Sequence, residues 1–546
     1  MSPALNPKGY HVKNHSIAVR SVTVAAAAAL SLGVAAPIMP AYAADGQAYE
    51  SNGLTVSDST IDATAKGSLT IFKKADPKET HTSTGEVDSS ATGTSLDGVE
   101  FTLYKVPGYD LTKNDQLVKA SNLKVSDVKP GEGDVVSVQT TANGGKATWT
   151  DLPVGVYYLR ETKPAEGYSP AADSLVFVPM TRNNDANTGG GTQWLYDITA
   201  YPKNRKNTNP EKSVTDTGKN VGDKVTYTVD TYAQYVDPDT QYRTFYRVED
   251  NLDPALSTTA DKVTVASTPN REFVKDKDYT VSVAKVDGRD QVLVKFTKEG
   301  IAKIDNGDKI TVTIEATVNS KPGNGDLKNV AQHYENNPND SQEHDKDGTP
   351  PETPKNTPEI HTFFGDLEFT KVNSTGKGLK DAEFKVFGIK GDQTCAALDT
   401  KNLGENAKEQ TAAGKTTWVS DDTGKVTITG LHANNIANWG YDAEKNQFTT
   451  ANEWTSYCLV ETKSPAGYEL LAQPIEFKIN ANRNEAGVWT VANGSVKVGN
   501  TDNQVVNLED STPKLPLTGG MGIGILAALG ALIIAAGAYS AKRRSA

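Results

Sequence analysis

The chain of 546 residues is poor in the residues from which most active sites are made. It has two cysteines, Cys395 and Cys458, and seven histidines scattered without ligand spacing, so no zinc constellation can be assembled. No Ser/His/Asp or Cys/His arrangement rises above coincidence. Gly414-Lys415-Thr416 has the end of a phosphate-binding loop, but Glu409 occupies the position of its first glycine and no βαβ context follows. Gly189-Gly190-Gly191 lies in a polar stretch and reads as a flexible hairpin. Acid pairs such as Asp421-Asp422 are explained by turns as well as by calcium. Basic residues number 56 against 68 acidic ones, for a formal charge of −12, and form no stripe, which argues against a nucleic-acid partner. Enzymatic activity, a cofactor and a resident metal are therefore not expected.

What the chain does have is concentrated first at its ends. Lys8, Lys13 and Arg20 precede an apolar run that includes Val24 to Leu30, and Ala41-Tyr42-Ala43 supplies a small-x-small cleavage pattern, so residues 1–43 read as a secretory signal. At the other end Leu515-Pro516-Leu517-Thr518-Gly519 is followed by an apolar run over 521–539 and by Lys542, Arg543 and Arg544. About 20 apolar residues span a bilayer and basic residues stay on its cytoplasmic side, so this tail is expected to hold the pentapeptide at the outer membrane face. Loss of both ends removes those six basic residues and no acidic one, moving the balance from −12 to −18. In an exported chain the pair Cys395 and Cys458 is best read as a disulfide.

Between the ends, short runs alternate polar and apolar residues, such as Ser68 to Phe72, Lys224 to Val229 and Lys309 to Ile314, punctuated by Gly, Asn, Asp and Pro. This pattern predicts an all-β chain of sandwich domains, and about 470 mature residues suggest three of them. Two are copies. Gly67 to Lys73 lines up with Gly365 to Lys371, Gly98 to Tyr104 with Asp381 to Phe387, and the Glu-Thr-Lys element Tyr158 to Tyr168 with Cys458 to Tyr468. The first copy is placed at 44–205 and the second at 358–510. The stretch 206–335, with its own strand pattern, forms a third domain of different topology. The polar, Pro-rich 336–357 reads as a linker, and 511–546 as the sorting tail.

The C-terminal arrangement resembles the cell-wall sorting signal of Gram-positive surface proteins. In that family a sortase cysteine cuts between the Thr and the Gly, here Thr518 and Gly519, and passes the Thr carboxyl to an amine. The whole chain resembles a shaft pilin of sortase-assembled pili. The element around Glu161, and its copy around Glu461, is similar to the pilin E-box. Trp194-Leu195-Tyr196-Asp197-Ile198-Thr199-Ala200-Tyr201-Pro202-Lys203-Asn204 is similar to the pilin motif, whose lysine, here Lys203, accepts the next subunit. The resemblance implies three immunoglobulin-like β-sandwiches in the order B-type, A-type-like, B-type, of the collagen-binding-protein kind.

Such modules often carry a Lys–Asn isopeptide bond, formed without an enzyme by a buried neutral amine beside a carboxyl that stays protonated. The matching positions are Lys371, Glu461 and Asn507 in the last domain, and Lys212, Asp250 and Asn329 in the middle one, where Lys219 and Asp253 are close enough to be confused with them. In the first domain Lys73 and Glu161 are in place, but the asparagine at the expected end, Asn204, adjoins Lys203. Family members commonly lack a bond there, so Glu161 is expected to serve as a structural hydrogen-bonding residue. A sandwich held by noncovalent contacts is stable by only about 5 to 15 kcal/mol, so such bonds would carry tension between Lys203 and Thr518. The resemblance further implies as partners a pilus-specific and a housekeeping sortase, identical subunits, minor pilins, peptidoglycan and a host or bacterial receptor. A monomeric wall-anchored adhesin, or a pilus tip or base subunit, is the alternative reading.

Overall fold

A computed structural model describes residues 59–76, 84–183, 192–339, 350, 353–442, 447–449 and 453–510. The architecture is built from strands, and the period-two alternation is realised in their burial. Lys224–Tyr232 and Lys309–Val318 pair antiparallel and bury alternate residues along their whole length, as β-branched side chains on a pleated, half-buried surface should.

In the first domain Lys66–Phe72 runs parallel to Asp197–Ala200 and antiparallel to Lys146–Pro153. The facing sheet places Glu100–Val106 between Val135–Thr140 and Gly155–Lys163. Leu69, Ile71, Phe101, Leu103, Trp149 and Ile198 fill the space between them. The strands are accompanied by a few short helices, the longest of those described being Asn114–Ser121, whose Ala120 and Leu117 pack with Leu111, Val156 and Tyr158 in a satellite core.

The second and third domains share one continuous core, running from Val214 and Tyr227 through Phe363 to Val505. The reason lies in the pairing. Asp326–Asn329 lies antiparallel to the start of Ile360–Asn373, with Asp326 opposite Phe363 and Asn329 opposite Ile360. The first strand of the third domain therefore begins as a neighbour of a second-domain strand. His361 Nδ1 lies 2.8 Å from Asp326 Oδ1, and Phe363, Trp439 and Trp489 cluster over the junction. Within 336–357, which composition marks as linker, Asn336 and Asn339 are buried and Lys355–Asn356 pairs with Ala331–Glu335.

In the third domain Ile360–Asn373 also runs parallel to Gln504–Asn507, while Glu383–Ile389 and Ser456–Lys463 pair in the opposite sheet. Sequence-distant first and last strands thus become neighbours, and the strand bearing the Glu-Thr-Lys element faces them across the core. Among the described residues no helix is long and apolar enough to cross a membrane. Residues 1–43, the pentapeptide 515–519 and the apolar run 521–539 lie outside the described residues.

Candidate functional site

The parallel pairing of Ile360–Asn373 with Gln504–Asn507 brings Lys371 beside Asn507, and Glu461 reaches both from the facing sheet. Lys371 Nζ donates to Asn507 Oδ1 and stands 3.2 Å from Glu461 Oε1. Asn507 Nδ2 donates to Glu461 Oε1 at 2.9 Å and Oε2 at 3.1 Å, and the Leu471 N–H fixes Oε2 at 2.8 Å. All three side chains are buried, with the Phe384 ring 5.9 Å from the amine. Burial pulls the Lys371 amine down to about 8, against the restoring pull of Glu461. A larger share of neutral amine than an exposed lysine has thus lies next to a carboxamide carbon, and one carboxyl touches both nitrogens. That carboxyl can take a proton from Nζ and deliver one to Nδ2. This is the arrangement that a transfer needs in which an Nζ–Cγ bond would form as the Cγ–Nδ2 bond breaks and ammonia departs.

The middle-domain cluster is built on different strands. Lys212 comes from Glu211–Thr215, Asp250 from Tyr246–Asn251 in the facing sheet, and Asn329 ends the strand paired to the third domain. Lys212 Nζ lies 2.5 Å from Asp250 Oδ2, and Asn329 Nδ2 donates to the same oxygen at 3.5 Å. Burial lowers the amine and raises the carboxyl, each against the pull of the other, so both move toward their neutral forms. Asn329 Oδ1 and Asp250 Oδ1 are buried with no hydrogen-bond partner among the described residues, a costly state for polar atoms. Neither rival position is in the cluster: Lys219 is exposed, and Asp253 caps a turn through the Ala255 N–H.

The first domain repeats the third. Lys73 Nζ donates to Asn204 Oδ1 and to Glu161 Oε2 at 2.6 Å, Asn204 Nδ2 donates to Glu161 Oε1 at 2.7 Å, and the Ala171 N–H holds Oε2 at 3.0 Å. Exposure of the three residues is 0, 1 and 0 % for Lys73, Glu161 and Asn204, and desolvation lowers the Lys73 amine despite Glu161. Glu161, expected as a structural hydrogen-bonding residue, accepts from Lys73, Asn204 and the Ala171 N–H, in the arrangement that Glu461 has in the third domain. The alignment of Lys73 with Lys371 carries the correspondence in the sequence, with Asn204 adjoining Lys203.

Lys203 itself opens the strand Lys203–Lys206, opposite Lys74. It is half-buried, and that partial desolvation lowers its amine against the opposing charge of Asp88. The segment before it is pinned. Tyr201 stacks on Phe72 with ring centres 5.7 Å apart and its hydroxyl accepts from the Asp88 N–H at 2.8 Å, and Trp194 Nε1 donates to Thr60 at 2.8 Å. Alternation along the strand then points Asn204 inward, while Lys203 keeps contact with solvent.

Cys395 and Cys458 form a disulfide, with Cα atoms 5.4 Å apart, that ties the turn Cys395–Ala397 to the strand carrying Glu461. Among the described residues no group of three potential ligands could hold a metal ion. Asp421 Oδ1 is taken up by the N–H groups of Thr423 and Lys425 in a turn.

Residues 65–205 match the family model described as Gram-positive pilin subunit D1, N-terminal domain, and residues 365–493 the prealbumin-like fold domain. The chain is similar to fimbrial subunit type 1 of Actinomyces viscosus, 32 % identical over 95 % of this chain and 97 % of that one. It belongs to the Gram-positive fimbrial shaft pilins. Fimbrial subunit type 2 of Actinomyces naeslundii is 31 % identical over 88 % of this chain and 90 % of that one. The full-length major pilin SpaD of Corynebacterium diphtheriae is similar in structure, with a TM-score of 0.56 and 27 % identity over 83 % of this chain and 99 % of that one. The pilin is thus a structural subunit of a surface fimbria assembled from such subunits, and not an enzyme.

Proposed function

We propose that this pilin is polymerised by a sortase that joins Thr518 of one subunit to Lys203 of the next. The observation that carries the reading is the presentation of Lys203: a partly desolvated amine at the start of a strand, with the aromatic residues before it held by stacking and hydrogen bonds. An acceptor must be reachable by a thioester yet fixed in direction, because a held geometry supplies much of the rate of a transfer step. The signal at 1–43 exports the chain, the span 521–539 retains the precursor in the membrane, and a housekeeping sortase passes the finished fibre to peptidoglycan. Minor pilins and a receptor on host or neighbouring cells complete the set of partners.

Each domain then closes its own Lys–Asn bond: Lys371 to Asn507 with Glu461, Lys212 to Asn329 with Asp250, and Lys73 to Asn204 with Glu161. What supports this is the common arrangement of buried amine, carboxyl and carboxamide. The experiment for the polymer is a denaturing gel of wall extracts from cells containing the cognate sortase. Wild type is expected to give a high-mass ladder, and Lys203→Ala to collapse it to monomer. A ladder that persists in the variant moves the acceptor to another lysine, and a single wall-linked band in wild type replaces the shaft pilin with a monomeric adhesin.

A further inference from the structure

The acid of the first-domain cluster is held from outside its own domain. Asn339, in the stretch that follows the second domain, donates through Nδ2 to the main-chain carbonyl of Glu161 at 2.7 Å and to that of Ala171 at 3.5 Å. Gln241, of the second domain, donates through Nε2 to the carbonyls of Pro170 at 3.2 Å and Ala171 at 3.0 Å, and to Asn339 Oδ1 at 2.8 Å. Both amides are buried, at 4 and 3 % exposure. Glu161 carries the carboxyl, and Ala171 supplies the N–H that orients it. The two amides, joined to each other, therefore fix both points that set where the carboxyl lies. In the third domain Glu461 is oriented by the Leu471 N–H in the same way, yet among the described residues no side chain of another domain donates to either main-chain carbonyl.

Buried carbonyls need partners. Without the second domain in place, the carbonyls of Glu161, Pro170 and Ala171 turn to water, and residues 170 to 173, which lie between the paired strands Tyr168–Ser169 and Ser174–Val178, lose the contacts that fix Ala171 against the carboxyl. Displacement of a proton-carrying group by about 1 Å can cost a hundredfold in rate. From this, and resting on the reading of Lys73, Glu161 and Asn204 as a crosslinking set, we infer that Asn339 and Gln241 are positioning residues for the first-domain bond, which closes only after the second domain has docked. The middle and last bonds do not wait for this contact. The chemistry is unchanged: Lys73 Nζ bonds to Asn204 Cγ, the Cγ–Nδ2 bond breaks and ammonia leaves.

The test follows the three bonds separately in the full mature chain, by pulse labelling and mass spectrometry of the crosslinked tryptic peptides. Asn339→Ala, the near-isosteric Asn339→Asp, which removes the donor, and Gln241→Ala are expected to slow the first-domain bond by about tenfold or more. In the same molecules the middle and last bonds should form at wild-type rate, which also certifies that those domains are folded. Tyr235→Ala serves as the control, because the Tyr235 ring lies across the same junction 4.2 Å from the Arg205 guanidinium and bonds to none of Glu161, Ala171, Asn339 and Gln241; it should leave all three bonds at wild-type rate. First-domain closure at wild-type rate in the Asn339 and Gln241 variants overturns the inference. So does equal slowing by Tyr235→Ala, which reduces the effect to loosening of the junction. A wild-type chain that never closes the first-domain bond overturns the crosslinking set itself, and the positioning role with it.

Discussion

Glu461→Gln isolates the proton carrier of the last domain. The substitution keeps nearly the same volume and leaves Lys371 and Asn507 where they are, but removes the group that shuttles protons between them. Lys371 and Asn507 are 136 positions apart, so their bond closes a loop of that size in the unfolded chain. The loop-closure relation then gives about 5 kcal/mol of stabilisation, treating the bond like a disulfide of equal span. The second and third domains share one core, so the cooperative unit is large and about 2 °C per kcal/mol applies, which makes a drop of about 10 °C in Tm. Left without an anionic or covalent partner, the buried Lys371 adds to that drop. The assays are intact mass, with about 17 Da of ammonia retained, and differential scanning calorimetry of the ectodomain. A variant that still loses the ammonia refutes the proton-carrier role, and one that keeps it with Tm unchanged refutes the loop-closure account of stability.

Two further outcomes follow. Replacing Cys395 and Cys458 together by Ser should lower third-domain stability by about 2 to 4 kcal/mol in urea unfolding while leaving the Lys371–Asn507 crosslink intact, as judged by mass. His432 Nε2 lies 3.2 Å from Asp216 Oδ2 at the junction of the second and third domains, off-line for a hydrogen bond but close as an ion pair. Desolvation lowers its protonation tendency, and Asp216 more than offsets this, so the folded pKa is raised above 6.5. The pair therefore contributes fully below about pH 6.5 and is lost as pH rises through the folded value. The urea midpoint should fall over that interval in wild type, and a slope of the same size in His432→Gln would remove the pair from the account.

Much of this architecture was legible because period-two burial is written directly into strands such as Lys224–Tyr232, and because a duplicated Glu-Thr-Lys element marks equivalent strands. The Lys212, Asp250 and Asn329 set was legible by type and order, but only three-dimensional placement separates Lys212 from the exposed Lys219. The helix Asn114–Ser121 was hidden because it is short and carries few apolar residues. Residues 336 to 339 were misleading for a different reason. Asn and Pro in series have the composition of a solvated linker, yet Asn336 and Asn339 are buried by satisfying main-chain carbonyls of two domains. Composition records polarity and does not record what the polar groups are bonded to. The sharing of one core by two domains was likewise invisible, since the pairing of Asp326–Asn329 with Ile360–Asn373 depends on strands separated by a long polar stretch.

The pairing of first and last strands has a consequence for damage. With the crosslinks closed, a proteolytic cut anywhere between 213 and 328, or between 372 and 506, leaves both sides of the wound joined through a side chain. Continuity between Lys203 and Thr518 then depends on an unbroken main chain only over 204–212, 329–371 and 507–518. A fibre made of such subunits would accumulate many nicks before it parts, and would part at those three places.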